Sequence, residues 1–256
     1  MRATIAILKK EWMEQVRTGR LMILGILFVL FGVMNPAIAK LTPWLLETLS
    51  DSLTESGMTI TAVSVDALTS WTQFFKNIPM ALIAFILLES NILTREYQSG
   101  TLVLTLTKGL DRYKVIVSKT IILMLIWSMG YWLCFGITYG YNAYFWDNGI
   151  AKHLAVSVFS CWLIGIFAIV LTMLFSVITS TNATVLLGVG GVFLVSYLAG
   201  MIPKLKEYVP TVLLNGTNVV YGIAEAESLT KSMIVTAILC VTCIAISIPI
   251  FNKKHI

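Results

Sequence analysis

His153-Leu154-Ala155-Val156-Ser157-Val158-Phe159-Ser160-Cys161-Trp162-Leu163-Ile164-Gly165-Ile166-Phe167-Ala168-Ile169-Val170-Leu171-Thr172-Met173-Leu174-Phe175-Ser176-Val177-Ile178 contains no Asp, Glu, Lys or Arg. An apolar run of about 20 residues is long enough to cross a hydrocarbon layer as a helix. Lipid offers backbone N–H and C=O groups no partner, so such a run must pair them internally. Working outward, runs of the same kind occupy 21–39, 74–93, 115–139, 184–202 and 232–251. The chain therefore reads as an all-α, polytopic membrane protein of six transmembrane helices, one domain over 1–256. Composition agrees, because 12% charged residues is about half the roughly 25% of a soluble domain.

Lys and Arg give the expected orientation, since loops rich in them stay on the cytoplasmic side. One side holds Arg2, Lys9, Lys10, Arg17, Arg20, Arg95, Lys108, Arg112, Lys114, Lys119, Lys253 and Lys254; the other holds Lys40, Lys76, Lys152, Lys204, Lys206 and Lys231. Twelve against six predicts both termini in the cytoplasm and a multi-pass protein of the plasma membrane. The pI near 9.0 then reflects topology, and no nucleic-acid partner is expected. Ala37-Ile38-Ala39 resembles a small-residue cleavage site. The first run is nevertheless read as a retained span, because both it and the preceding basic region are too long for a signal peptide.

Residues 1–20 precede the first span. Ile5, Leu8, Trp12 and Val16 recur at helical spacing among Lys9, Lys10, Glu14 and Arg17. This predicts an amphipathic helix lying in the membrane interface; the plainer alternative is an extension of the first span. Gly19 offers a bend between the two. In the outer loop 40–73, apolar residues from Trp44 to Leu53 keep helical spacing, while 59–65 alternates weakly like a strand. Residues 203–230 stay largely apolar despite Pro203 and Pro210, with Asn215-Gly216-Thr217-Asn218 as a turn. Irregular apolar backbone at membrane depth is tolerated when buried in protein, so this segment is expected to be a re-entrant helical pair closing the outer end. The inner loop 179–183 is too short to dock a partner.

Catalytic groups are sparse. His153 and His255 are the two histidines, too few for a zinc site or a His-based acid–base pair; no bound metal or cofactor is expected. No G-x-x-x-x-G-K-[ST] phosphate loop occurs. Cys240 and Cys243 have C-x-x-C spacing, yet inside a span they read as small buried residues. Glu89, near the inner end of the second span, is the costliest residue in the chain and calls for a partner. Lys119, one turn into the third span on the same side, is the expected partner of an intramembrane ion pair. Gly136 and Gly140 form a G-x-x-x-G, expected to be a close-packing helix face, within the chain or between subunits.

Between the second and third spans lies Arg95-Glu96-Tyr97-Gln98-Ser99-Gly100-Thr101-Leu102, running on to Asp111-Arg112 and Ser118-Lys119. With the Lys-Lys-Glu-x-x-Glu helix ahead of span one, this pattern resembles the permease subunit of an ABC-2 type (type V) ABC exporter, along essentially the whole chain. A proline often precedes the arginine in that family; here Lys108-Gly109-Leu110-Asp111 stands before Arg112. The resemblance implies a separate P-loop ATPase subunit carrying ATP and Mg, and a second permease subunit, identical or not, in the same bilayer. It implies a coupling segment at 95–114, with Arg95, Glu96, Tyr97, Ser99, Gly100, Thr101 and Arg112 as coupling residues. It also implies an outer gate at 203–230, with Pro203, Pro210, Asn215 and Gly216. Without a dedicated polar binding site, the cargo expected is hydrophobic or amphipathic, and the peptide, antimicrobial and modulin-peptide exporters are the relatives favoured. The alternatives are a secondary transporter, which would show an inverted repeat and several intramembrane charges, or a membrane-embedded enzyme, which would need paired catalytic groups where Glu89 stands alone.

Overall fold

A computed structural model describes residues 2–55, 65–102, 107 and 111–254. The alternating residues 59–64, Lys108-Gly109-Leu110 and His255 lie outside the described residues. The helices are α1 (Arg2–Arg17), α2 (Arg20–Glu55), α3 (Ala67–Glu89), α4 (Thr94–Gln98), α5 (Arg112–Phe145), α6 (Leu154–Ile178), α7 (Asn182–Ala199), α8 (Gly216–Val220) and α9 (Ala226–Lys253). Among the described residues, six are long and apolar enough to cross a membrane: α2, the α3–α4 unit, α5, α6, α7 and α9. The protein is an all-α polytopic membrane protein. Contacts between α1, α4 and the residues closing α9 bring both chain termini to one end of the bundle, the terminal end; the opposite end is the far end.

Helix ends depart from the apolar runs because hydropathy measures the lipid-length core, whereas backbone helicity continues into polar flanks. The run at 21–39 continues to Glu55 through Pro36 and Pro43. The run at 74–93 starts earlier, at Ala67, where the Asp66 carboxylate accepts the Thr69 N–H at 3.0 Å and caps the helix. It also stops early, at Glu89, and a turn leads into α4. The run at 115–139 becomes Arg112–Phe145, 184–202 becomes Asn182–Ala199, and 232–251 becomes Ala226–Lys253. Two glycines make the terminal-end geometry possible. Gly19 (φ +71°) folds α1 back from α2, and Gly100 (φ +68°) ends α4, both in the left-handed region that a Cβ disfavours.

Helix α6 is the hub. It packs on α3, α5, α7, α8 and α9, and 67% of its most apolar window is buried, against 17% for the peripheral α7. Rings fill the space between α2, α3 and α5: Phe28 and Phe85 both lie against Trp127, which leads through Tyr131, Phe74 and Phe135 to Trp71, with contacting centroids 5.5 to 6.2 Å apart. Those rings decide which glycines pack. A Cβ on Gly130 would strike Phe28, one on Gly165 would strike Trp127, and one on Gly188 would strike Phe175. Gly136 and Gly140 pack on no helix within the described residues of this chain: a Cβ on either meets open space. Both instead line an open groove of about 430 Å³ with Tyr141, Tyr144 and Phe145.

At the far end, residues 210–220 form two short turns of helix buried against the bundle. Leu213 O accepts Ser160 Oγ at 3.1 Å, Val209 O accepts Ser232 Oγ at 2.7 Å, and Ser196 O accepts Thr211 Oγ1 at 3.2 Å. Pro210 opens the first turn, a position where its missing N–H would have had no helical partner anyway. Asn215 joins the two turns, and Gly216 lies against the Phe75 ring. Pro203 sits in the exposed stretch leading to them. Above this segment opens a cavity of about 330 Å³ whose rim carries Lys206, Glu207, Glu225, Glu227 and Lys231.

Candidate functional site

Local sequence sets up a charged cluster at the terminal end. On α1, Ile7, Glu11 and Gln15 recur every four residues and form the buried stripe, packed on α5. Of the apolar positions read from the sequence, Ile5 and Val16 stay exposed, while Leu8 and Trp12 are half-buried against the core. The stripe can carry polar groups because buried partners receive them. Lys119, only 1% exposed, donates to Glu11 Oε2 at 2.8 Å and stands 3.2 Å from Glu96 Oε1. It also donates at 3.2 Å to Ile92 O, a carbonyl in the turn between α3 and α4. Lys10 donates to Glu96 Oε1 at 2.8 Å.

Glu89 and Lys119 do not pair with each other. Glu89 Oε2 accepts from Gln15 Nε2 at 2.7 Å and lies 3.5 Å from Arg20 Nη1. Glu89 thus takes its counter-ion from Arg20, and Lys119 takes its own from Glu11 of α1 and Glu96 of α4. Removing a charge from water costs several kcal/mol, on the order of magnitude repaid only by close and well-satisfied partners. Glu11, Glu14, Glu89 and Glu96 face Lys10, Arg20, Arg95 and Lys119, so this cluster is electrically neutral. A cavity of about 400 Å³ opens beside it, lined by Lys10, Glu14, Arg20, Arg95, Glu96, Ser99 and Thr101.

Glu11, Glu14 and Glu96 bring one carboxylate oxygen each within 4.8 Å of one another, the separation of a metal cage. The Lys119 ammonium already sits between two of them, with Lys10 on the Glu96 oxygen. Lysine nitrogens do the work a divalent ion would do, so these residues do not fit a metal. Burial alone would lower the Lys10 pKa. The Glu96 hydrogen bond and charge, helped by Glu11 and Glu14, outweigh it and raise Lys10 above its usual value.

Helix α4 has a second, separate attachment. The Tyr97 ring packs edge-on against Phe251 at 6.4 Å, and the Lys254 ammonium lies 4.3 Å above that same ring. Lys254 also donates to Val177 O at 2.8 Å and Thr179 O at 3.3 Å, where α6 ends with unpaired carbonyls. Arg112 donates to Phe251 O at 3.0 Å, Asn252 O at 3.3 Å and Lys254 O at 2.6 Å, closing α9. Among the residues expected on a coupling surface, Glu96, Tyr97 and Arg112 are therefore engaged inside the chain. Arg95, Ser99 and Thr101 lie on the open side, and Gly100 turns the backbone between the last two. Gln15 was not singled out by sequence, and Glu11 and Arg20 were read only as part of a motif and a topology count, although the four-residue spacing of Ile7, Glu11 and Gln15 carries the signal. Lys254 has none: it follows the last span in a short basic tail.

A six-span bundle with an N-terminal helix folded onto its charged end defines an all-α polytopic membrane protein. Residues 5–255 match the ABC-2 family transporter proteins, and the chain belongs to that family. It is also 23% identical over 251 residues to the "Uncharacterized transmembrane protein YxlG" of Bacillus subtilis (strain 168), covering 96% of this chain and 95% of the relative.

Proposed function

We propose that this chain is the transmembrane half of an ATP-driven exporter, with a separate P-loop ATPase subunit, holding ATP and Mg, docking on α4 from the cytoplasm. One observation carries the reading. Helix α4 and the turn that follows it are exposed along Arg95, Gln98, Ser99 and Thr101, yet α4 is braced on one side through Glu96 to α1 and α5 and on the other through Tyr97 to α6 and α9. A short rigid element that is open outward and tied inward to four helices is suited to receive a push. Glu96, Tyr97 and Arg112 then carry force within the chain, while Arg95, Ser99, Gly100 and Thr101 form the docking side.

The excess of Lys and Arg at the terminal end supports both termini being cytoplasmic in the plasma membrane. With α1 beside the membrane surface, its exposed Ile5, Val16 and Lys9 suit an interfacial position. The buried 210–220 segment is then a re-entrant gate at the outer end. A second permease subunit, identical or not, pairs with this one to complete the path. The mostly apolar interior and the mixed charges above the gate suit an amphipathic cargo, and a peptide fits best. The experiment is purification of the permease from its native membrane with any P-loop ATPase that stays bound, followed by ATP hydrolysis measured in nanodiscs. A panel of amphipathic peptides should stimulate hydrolysis; a permease that retains no ATPase on purification sinks the proposal.

A further inference from the structure

We propose that Lys254 is a positioning residue that carries movement of α4 into α6, and through α6 to the 210–220 segment at the far end. The inference rests on the reading that α4 receives the ATPase, and it adds the route taken inside the chain. Three contacts converge on this one residue. Its ammonium sits 4.3 Å over the Tyr97 ring of α4. The same nitrogen is bound to Val177 O and Thr179 O at the end of α6. Its own carbonyl is held at 2.6 Å by Arg112, at the start of α5.

Among the described residues the Tyr97 hydroxyl is buried without a hydrogen-bond partner. The ring face, and not the hydroxyl, is therefore what α4 offers to Lys254, as a cation–π contact requires. Gln98 reaches the loop after α6 at Ser180 O, but at 3.5 Å this is a weak link. On the other side of α4, the Glu96 cluster leads to α1 and α5 and not to α6.

From Val177, α6 runs to Ser160 and Cys161, whose side chains lie 3.1 Å and 3.5 Å from Leu213 O. The 17 residue steps from Val177 to Ser160 span about 25 Å at about 1.5 Å per step, close to the thickness of the hydrocarbon layer. A continuous helix buried along most of its length moves as a unit. Displacing its Val177 end therefore displaces the Leu213 anchor. A lysine that only capped the end of α6 would leave the nucleotide response of 210–220 intact, whereas one that couples α4 to α6 carries it.

The permease–ATPase complex in nanodiscs would be followed by hydrogen exchange at 94–99, 174–180 and 210–220, with and without ATP and Mg²⁺. In the wild type, ATP should alter exchange at all three. With Lys254→Gln the response at 94–99 should remain, while that at 210–220 should shrink on the order of threefold, the size of one cation–π contact. Lys254→Arg should restore it. Tyr97→Phe should behave as wild type and Tyr97→Leu as Lys254→Gln, which keeps the test decisive should one variant misfold. Retention of the 210–220 response in Lys254→Gln and Tyr97→Leu would overturn the inference. So would nucleotide-free exchange at 210–220 rising with Lys254→Gln, because the residue would then be a structural cap. No ATP response at 94–99 in the wild type would overturn the docking reading itself, and the inference with it.

Discussion

Lys119 Nζ on α5 and Glu11 Oε2 on α1 lie 2.8 Å apart, with both side chains almost fully buried. A helix that precedes the first span is thereby locked to the third, and Glu96 at 3.2 Å brings α4 into the same lock. Breaking a buried pair by removing one partner leaves the other charge stranded, at a cost of about 3–5 kcal/mol. Lys119→Met should lower stability by that order, since two carboxylates lose their shared cation. Lys119→Met combined with Glu11→Leu should recover part of the loss, because Glu96 keeps Lys10. Thermal unfolding in detergent, followed by tryptophan fluorescence, measures both. A double variant no more stable than Lys119→Met would show that the pair is not the source of the effect.

Arg112 closes the end of α9 by donating to three carbonyls. Arg112→Gln should cost about 1.5–3 kcal/mol, the range for hydrogen bonds to a charged group. Arg112→Glu should cost more, because a carboxylate faces the negative end of the helix dipole. Faster amide exchange confined to residues 250–254 is the expected signature. The same change spread over the whole bundle would mean that the cap has no local role.

How much of this could be read from sequence depends on the range of the interaction. The six membrane helices were legible because hydropathy is local: the His153–Ile178 run declares itself without reference to anything else in the chain. Ion-pair choice was not legible. Glu89 and Lys119 are both placed at the terminal end by topology, but the turn at Gly19 delivers Gln15, Arg20 and Glu11 to them first. Gly136 and Gly140 show the same limit. The spacing permits close packing, whereas a ring arriving from a distant helix decides it, as Trp127 does over Gly165. Lys254 could not be found at all, because its partners are backbone carbonyls and a ring face, which leave no pattern in sequence.

That contrast among glycines is testable. Gly165→Ala places a methyl group against the Trp127 indole, which is fully buried and whose Nε1 donates to Trp162 O at 3.2 Å. Overpacking of this kind costs about 1–3 kcal/mol. Gly136→Ala adds a methyl group to open space, so the isolated chain should lose nothing measurable. Any loss with Gly136→Ala that appears only in a dimeric preparation would place the groove at a subunit contact.

Two lysines outside the spans respond oppositely to alkaline pH. Glu96, Glu11 and Glu14 together raise Lys10 above its ordinary 10.5 despite its burial. Its contribution is fully present below pH 10.5 and is lost as pH climbs through the folded-state value. Burial lowers Lys254 below 10.5, so charging it opposes folding, and stability recovers as pH rises from its folded value towards 10.5. The Lys10 side chain is half exposed, which limits its effect to about 0.2–1 kcal/mol. Lys10→Met should flatten the stability profile above pH 10.5, whereas Lys254→Met should flatten it just below. Melting temperatures across that interval distinguish the two, and identical profiles would contradict the assignment.

Arg95 and Glu96 are neighbours in sequence with opposite surroundings, and their variants should therefore separate docking from internal framework. Arg95 is 57% exposed and reaches Glu14 only at 3.9 Å, a surface pair worth about 0–1 kcal/mol. Arg95→Glu should leave the melting temperature nearly unchanged. It should weaken ATPase retention by roughly tenfold, which corresponds to about 1.4 kcal/mol at a contact surface. Glu96 is buried between Lys10 and Lys119. Glu96→Gln keeps its shape but removes the charge both lysines face, so it should lower the melting temperature while leaving the docking side intact. Titrating purified ATPase onto nanodisc-held variants, with melting measured in parallel, reads both effects. If Arg95→Glu binds the ATPase as tightly as wild type while Glu96→Gln does not, the partner contacts the buried side, and the open face of α4 is not where it docks.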